Sequence, residues 1–200
     1  MPTTIEIYAD FICPWCYIGL GRLTRLEKER PVRLHWNPYL LRPDTPEGGV
    51  PLASILPPER LERAEAAVRE ATQAAGLPLN RPALVPNTRQ AHEIGFLAEA
   101  KGLDDAYHRA VFTAYFAQAR DIGDPKVLAE IGAEVGMPRD EVLDTLHTGR
   151  YRAEVERATS DAFERGIRSV PNFIFASGKG FSGAQPYAVF LHAVDAASQS

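Results

Sequence analysis

The sequence predicts an α/β fold in which a central mixed β-sheet is flanked by helices and carries an inserted all-helical subdomain. Three observations support this. A strand–helix–strand pattern occupies residues 4–41, and a helix–strand–strand–helix pattern occupies residues 151–197. Between them, apolar residues recur only at helical spacing. We therefore expect residues 1–58 and 151–200 to form one α/β domain and residues 59–150 to form the helical subdomain.

The N-terminal elements follow from residue type and spacing. β-branched and aromatic residues predict a strand over Thr4–Ala9. Apolar residues at helical spacing predict a helix over Tyr17–Glu29, which a proline ends. Alternation predicts a second strand over Val32–Leu41, although Pro38 makes its far half an edge or an irregular end. The Pro- and Gly-rich segment 42–58 reads as a loop that could carry binding contacts or serve only as a connection.

Caps and helix-breaking residues divide the rest of the chain. Asn, Asp and Pro mark helix starts, and Gly marks helix ends. A proline introduces a strand over Val170–Ala176, and a tight turn then leads to a short returning strand at Phe181-Ser182. A last helix is predicted over Pro186–Ala197. The other predicted helices cover residues 59–75, 89–101, 104–119, 125–136, 138–146 and 151–165.

The chain has only two cysteines, Cys13 and Cys16, at the junction of the first strand and the first helix. With Pro14 and Trp15 between them on the first helical turn, the two sulfurs can reach disulfide distance. The unpaired N–H groups and the dipole at a helix N-terminus favour the thiolate of the first cysteine. Because the thiolate is the attacking species, we expect Cys13 to be the nucleophile and Cys16 to resolve the mixed disulfide.

Two other uses of the cysteine pair are weighed against this one. A Cys-x-x-Cys pair can be half of a zinc site, but zinc takes about four ligands, and the sequence has no second cysteine pair and no paired histidines. A structural disulfide is the other alternative. A chain of 200 residues can bury its own core, and so short a loop would constrain little of the unfolded chain. A reactive dithiol without a metal is therefore predicted.

Composition restricts the classes of partner. The net charge is −4 and the basic residues are dispersed, which argues against nucleic acid or an anionic membrane as a partner. No stretch approaches the roughly 20 apolar residues of a membrane helix. The N-terminus lacks the pattern of a secretory signal, so a cytoplasmic location is expected. Thiols are kept reduced in the cytosol, where a cysteine pair is more often catalytic than structural.

Several motifs resemble the thioredoxin superfamily, and within it the DsbA branch and its FrnE-like cytosolic group. The Cys-Pro-Trp-Cys turn and a later Val-Pro before a strand are similar to the superfamily pattern, and the helical insert is similar to that of the DsbA branch. The resemblance spans nearly the whole chain. It is carried by Asp10–Gly19, Asn87-Thr88, Ala91-His92, Ala114–Phe116, Val170-Pro171 and Ser182–Pro186.

The resemblance implies a thioredoxin fold and a thiol–disulfide oxidoreductase that needs no bound cofactor. Its substrates would be proteins or small thiols, with glutathione as a possible redox partner. Cys13 would be the exposed nucleophile and Cys16 the buried partner. Pro171 would be a cis-proline facing the cysteines, so that the backbone of Val170 could pair with an extended substrate. The alternative is a trans proline that starts an edge strand.

One position departs from the pattern that the resemblance implies. Thioredoxins carry a buried acid six residues before the first cysteine, where this chain has Ile7. Glu6 is adjacent but should point to the opposite face of the sheet. Proton transfer to Cys16 could therefore use Asp10, water or another group.

Three further residues have two possible roles each. Asp10 could change the proton affinity of the thiol, or it could simply be a cap or turn residue. Trp15 could offer an apolar contact to substrate beside the reactive sulfur, or pack against the insert. His92 could stabilise the Cys13 thiolate, or be an ordinary packing or surface residue.

Two other functions remain open at this stage. Glutathione-dependent isomerases and kappa-class transferases share this architecture but typically have serine where Cys13 stands. The second is a redox-linked chaperone that holds unfolded chains on the insert. The direction of exchange depends on the redox potential, and the sequence alone does not define the oligomeric state.

Overall fold

The computed structural model describes residues 2–198. The strands are β1 (Thr3–Ala9), β2 (Val32–Pro38), β3 (Val50–Pro51), β4 (Leu84–Val85), β5 (Asn172–Phe175) and β6 (Gly180–Ser182). The helices are α1 (Pro14–Glu29), α2 (Pro58–Ala74), α3 (Arg89–Ala100), α4 (Asp104–Phe116), α5 (Pro125–Glu134), α6 (Arg139–Thr148), α7 (Arg152–Glu164) and α8 (Tyr187–Ala197).

The main sheet has the strand order β2-β1-β5-β6. β1 pairs with β2 in parallel and with β5 in antiparallel orientation, and β6 returns antiparallel to β5. Parallel neighbours need a crossover, and α1 supplies it between β1 and β2. The predicted α/β architecture with a mixed sheet is therefore confirmed, and the sheet places the C-terminal end of β1 next to the start of β5.

The side chains of β1 alternate between two environments. Ile5 and Ile7 are almost fully buried in the core, whereas the carboxylate of Glu6 accepts a hydrogen bond of 2.9 Å from Arg165 on the opposite face. The expected orientation of Glu6 is confirmed. Most buried residues form one large cluster from the sheet into α3, α4, α5 and α6, and a second, small cluster joins Tyr8 to α7. The division into two domains at residues 58 and 151 stays a prediction.

Several elements differ in extent from the sequence prediction. β2 ends at Pro38 rather than at Leu41, because a proline cannot donate to the ladder. α1 begins at Pro14, three residues before the apolar pattern that starts at Tyr17, because a proline suits the first helical position. β3 and β4 form a two-stranded ribbon within segments that were predicted to be irregular, with Val50 opposite Val85. Strands of two residues are too short to show a periodic pattern.

No helix within residues 2–198 combines the length and apolar character that crossing a bilayer would require.

Candidate active site

The turn between β1 and α1 positions the two cysteines. Cys13 is the N-cap of α1 with extended backbone angles (φ −83°, ψ 111°), and Pro14 takes the first helical position. The Cys13 N–H donates to the Asp10 carbonyl at 3.0 Å, and the Cys16 N–H donates to the Cys13 carbonyl at the same distance. Both cysteines are free thiols in this structure. Cys13 therefore lies where the partial positive charge of the helix N-terminus is concentrated.

The exposure expected for Cys13 is wrong. Cys13 is only 4% exposed and Cys16 is 3% exposed, so both residues are buried. Cys13 is covered from the side of β5, where its Sγ lies 3.6 Å from the carbonyl oxygen of Val170. Access exists on another side, because Cys13 lines a cavity of about 330 Å³ that opens to the surface.

The segment before β5 completes the site. The Val170–Pro171 peptide bond is cis, as the sequence resemblance implied. Its carbonyl oxygen, on Val170, accepts a hydrogen bond of 3.6 Å from the Cys13 thiol. β5 itself is fixed beside β1 by antiparallel pairing, so two segments that are distant in sequence meet at this point.

The cavity next to Cys13, which we call the thiol groove, is mainly apolar. Trp15 lines it and is 39% exposed, which is unusual for so large a side chain. Its other walls come from the 52–56 segment, α2 and β4, with an Arg81–Glu65 ion pair at one side. Trp15 and the 42–58 loop, both expected from the sequence as possible contact regions, thus lie on the same groove. The apolar groove residues include Ile12, Leu41, Leu52, Leu56, Leu61 and Val85.

Asp10 and His92 meet behind the cysteines. Asp10 is 0% exposed, and its Oδ1 lies 3.5 Å from Nε2 of His92, which is 3% exposed. The other oxygen of Asp10 accepts a hydrogen bond of 2.7 Å from the Leu41 N–H. The His92 ring stacks on Phe11 with centroids 4.5 Å apart. Asp10 does not cap α1, since Cys13 holds that position without a side-chain cap.

The surroundings of Cys16 disfavour its thiolate. Burial raises the pKa of Cys16 well above its usual value, and the hydrogen bond and charge of Cys13 raise it further. The negative charge of Asp10 acts in the same direction, with a smaller effect. Cys16 is therefore held as a neutral thiol at neutral pH.

Within residues 2–198, no group of three or more His, Cys, Asp or Glu side chains is arranged to hold a metal ion.

The two thiols lie at the start of the helix that follows the first strand of a mixed sheet, and a cis-proline faces them. This combination defines the thioredoxin-like class of proteins. The chain belongs to the DSBA-like thioredoxin domain family, whose profile matches residues 4–195.

Two relatives are similar over most of their length. The uncharacterized protein YwbO of Bacillus subtilis strain 168 is 28% identical over 178 residues, which is 87% of each chain. The crystal structure of the probable DsbA oxidoreductase SCO1869 from Streptomyces coelicolor is 26% identical, with a TM-score of 0.90 over 99% of this chain and 91% of that one.

Two more distant structures share the fold at 20% identity. One is a 2-hydroxychromene-2-carboxylate isomerase, with a TM-score of 0.80 over 98% of this chain and 96% of that one. The other is the cytosolic disulfide reductase DsbM from Pseudomonas aeruginosa with GSH, with a TM-score of 0.71 over 95% and 98%.

Proposed function

We propose that the protein is a thiol–disulfide oxidoreductase that exchanges disulfides through Cys13 and Cys16. The observation that carries the proposal is the position of Cys13, which caps α1, faces the Val170 carbonyl at 3.6 Å and lines the thiol groove. Membership of the DSBA-like thioredoxin domain family supports the same chemistry.

The proposed reaction has two balanced steps. The Cys13 thiolate attacks one sulfur of a substrate disulfide, and the other substrate sulfur leaves as a thiolate and takes a proton. The Cys16 thiol then loses its proton and attacks the Cys13 sulfur, which releases the second substrate thiol and leaves a Cys13–Cys16 disulfide. The substrate gains two electrons and the protein loses them, and the reverse sequence oxidises a substrate dithiol. The raised pKa of Cys16 keeps it protonated until the mixed disulfide forms.

We assign substrate contacts to the residues around the reactive sulfur. Pro14 and Trp15 lie in the thiol groove, where the exposed Trp15 ring offers an apolar surface. The Val170 carbonyl next to Pro171 is an acceptor for a substrate backbone N–H. Proteins with apolar residues near their cysteines are the proposed substrates. We also propose that Asp10 and His92, which lie behind the cysteines, adjust the proton affinity of the thiols.

Glutathione is the proposed small-thiol partner, and a cytoplasmic location is proposed with it. The fold is shared with a cytosolic disulfide reductase whose structure was solved with GSH. A reducing compartment would return the Cys13–Cys16 disulfide to the dithiol after each turnover.

The proposal is tested by insulin reduction with dithiothreitol as the electron source. Cys13→Ser should abolish the rate above background. Cys16→Ser, mixed with insulin in the absence of dithiothreitol, should accumulate a mixed disulfide that mass spectrometry detects on Cys13. Circular dichroism of both variants serves as the folding control. A Cys13→Ser variant that reduces insulin at the wild-type rate would contradict the assignment of the nucleophile.

A glutathione-dependent isomerase or transferase is the second candidate, because the fold is shared with an isomerase at a TM-score of 0.80. Conjugation of glutathione to an electrophile that survives Cys16→Ala would favour it. Loss of all activity in Cys16→Ala would favour disulfide exchange, since only exchange needs the second sulfur.

The remaining candidate, a redox-linked chaperone, predicts that suppression of aggregation persists when both cysteines are replaced.

A further inference from the structure

Arg42 is a basic residue of the thiol groove that the fold itself does not use. It lines the groove together with Cys13 and is exposed. Among the residues that the structure describes, its guanidinium group makes no ion pair and no hydrogen bond with a protein group. A positive charge is therefore available to a ligand beside the reactive thiol.

Asp10 holds the Arg42 segment next to the dithiol. Its carbonyl oxygen accepts a hydrogen bond of 3.0 Å from the Cys13 N–H, and its carboxylate accepts one of 2.7 Å from the Leu41 N–H. Arg42 directly follows Leu41 in the chain. The backbone at Arg42 and the backbone at Cys13 are therefore anchored to the same buried residue, which keeps them close together.

The remaining charges of the groove do not cancel that of Arg42. Glu65 on α2 and Arg81 form an ion pair with each other at one side of the groove. The exposed Asp44 lines an adjoining cavity with Arg42, but the two side chains form no ion pair in the described part of the chain. The N-terminus of α1 adds partial positive charge at Cys13. The groove therefore favours a negatively charged group near the thiol.

The rest of the groove suits an apolar group. Leu52, Leu56 and Leu61 contribute to its walls, and Trp15 lines it as well. Its volume of about 330 Å³ lies within the range of pockets that hold small organic ligands. A ligand that matches both features of the groove has an apolar body and a carboxylate.

We propose that Arg42 selects disulfide substrates that carry a carboxylate next to an apolar group. The apolar group occupies the thiol groove, and the carboxylate pairs with the Arg42 guanidinium, whose N–H donors match its two oxygens. This inference rests on the disulfide exchange proposed above and adds a residue that determines its specificity. Arg42 acts on substrate binding and takes no part in the bonds that form and break.

The test is a single-turnover reaction of the reduced protein with two aromatic disulfides at low ionic strength. One is dithiobis(nitrobenzoate), which carries a carboxylate on each ring, and the other is its uncharged diamide. The Cys13 thiolate attacks one probe sulfur, the S–S bond breaks and one aryl thiolate leaves. The Cys16 thiol then gives its proton to water and displaces the second aryl thiolate, which leaves a Cys13–Cys16 disulfide. The absorbance of the released aryl thiolates gives the rate.

The measured quantity is the ratio of the two rate constants, charged over uncharged probe, within one protein. Any effect of Arg42 on the Cys13 thiolate cancels in this ratio, because both probes meet the same thiolate. Arg42→Gln should lower the ratio about threefold to fivefold, since an exposed ion pair is weak. Added salt should lower the wild-type ratio in the same direction, because it screens the pair. Arg42→Lys keeps the charge and should retain most of the ratio.

Arg33→Gln is the matched control, since it removes the same net charge from an exposed position. Arg33 lies on β2 opposite Thr4, at the end of the sheet away from Cys13, so its ratio should equal that of the wild type. Circular dichroism of all variants checks their folding.

Two outcomes contradict the inference in different ways. An unchanged ratio in Arg42→Gln, or an equal fall in Arg33→Gln, would overturn the role of Arg42 and leave the disulfide exchange standing. A wild-type protein that releases no aryl thiolate from either probe would overturn the proposed exchange and this inference with it.

Discussion

The carboxylate of Asp10 and the imidazole of His92 lie 3.5 Å apart in the buried layer behind the dithiol. Both side chains are almost completely shielded from solvent, and Asp10 is anchored by the backbone N–H of Leu41. The negative charge of Asp10 opposes ionisation of Cys16. His92 on α3 therefore lies next to the carboxylate whose charge acts on Cys16.

The first prediction follows from that link. Asp10→Asn removes the charge but keeps an oxygen acceptor for the Leu41 N–H. Because the negative charge of Asp10 raises the pKa of Cys16, the variant should resolve a Cys13 mixed disulfide at lower pH than the wild type does. Stopped-flow resolution of a preformed mixed disulfide across pH measures this. An unchanged pH profile would mean that Asp10 acts on the fold alone.

The exposed ring of Trp15 should contribute to substrate affinity. Trp15→Ala should raise KM for an apolar peptide disulfide by about tenfold and leave the free energy of unfolding within about 1 kcal/mol, because the ring already contacts water. Steady-state kinetics on such a peptide provides the measurement. Leu143→Ala, at a 41% exposed position on α6 outside the groove, is the control. A fall in kcat at constant KM would argue against a binding role.

Phe112 on α4 should be a major source of stability. It is 0% exposed and packs against Phe11, Tyr17 and Trp36. Phe112→Ala should reduce the free energy of unfolding by about 3–5 kcal/mol in urea denaturation. Phe163→Ala, at a 42% exposed position, should cost much less. Similar losses in the two variants would contradict this account of the core.

The buried His108 should make the protein less stable in acid. Burial lowers the pKa of His108 to about 3, from 6.5 in the unfolded chain. The unfolded state therefore binds more protons between these values, so the free energy of unfolding should fall as the pH drops from about 6.5 toward 3. The slope from this group is at most about 1.4 kcal/mol per pH unit.

Denaturation of His108→Gln at several pH values tests this expectation. The variant should show a shallower dependence of stability on pH than the wild type does. Replacement of the exposed His147 by Gln should leave the slope unchanged. If the free energy of unfolding fell equally with pH in all three proteins, the loss of stability in acid would come from other groups.

Features that depend on neighbouring residues could be predicted from the sequence. The cysteine turn, the orientation of Glu6 and the Asp124 cap, whose side chain accepts the Lys126 N–H at 2.8 Å, follow from spacing and residue type alone. The cis bond at Pro171 came only from the resemblance, because most X-Pro bonds are trans.

Features that depend on contacts between distant segments could not be predicted. The ribbon of β3 and β4 forms from two residues on each side, so it leaves no periodic pattern. The burial of Cys13 depends on β5, and the walls of the thiol groove depend on α2.

The Cys13 thiol and the Val170 carbonyl are separated by 157 positions in the sequence. During synthesis on a ribosome, both cysteines therefore leave the exit tunnel long before the strand that covers them has been translated. A nascent chain that stops short of residue 170 holds an unshielded dithiol and lacks the carbonyl that faces Cys13. The surroundings of the two thiols are therefore completed only after β5 has been translated and has joined β1.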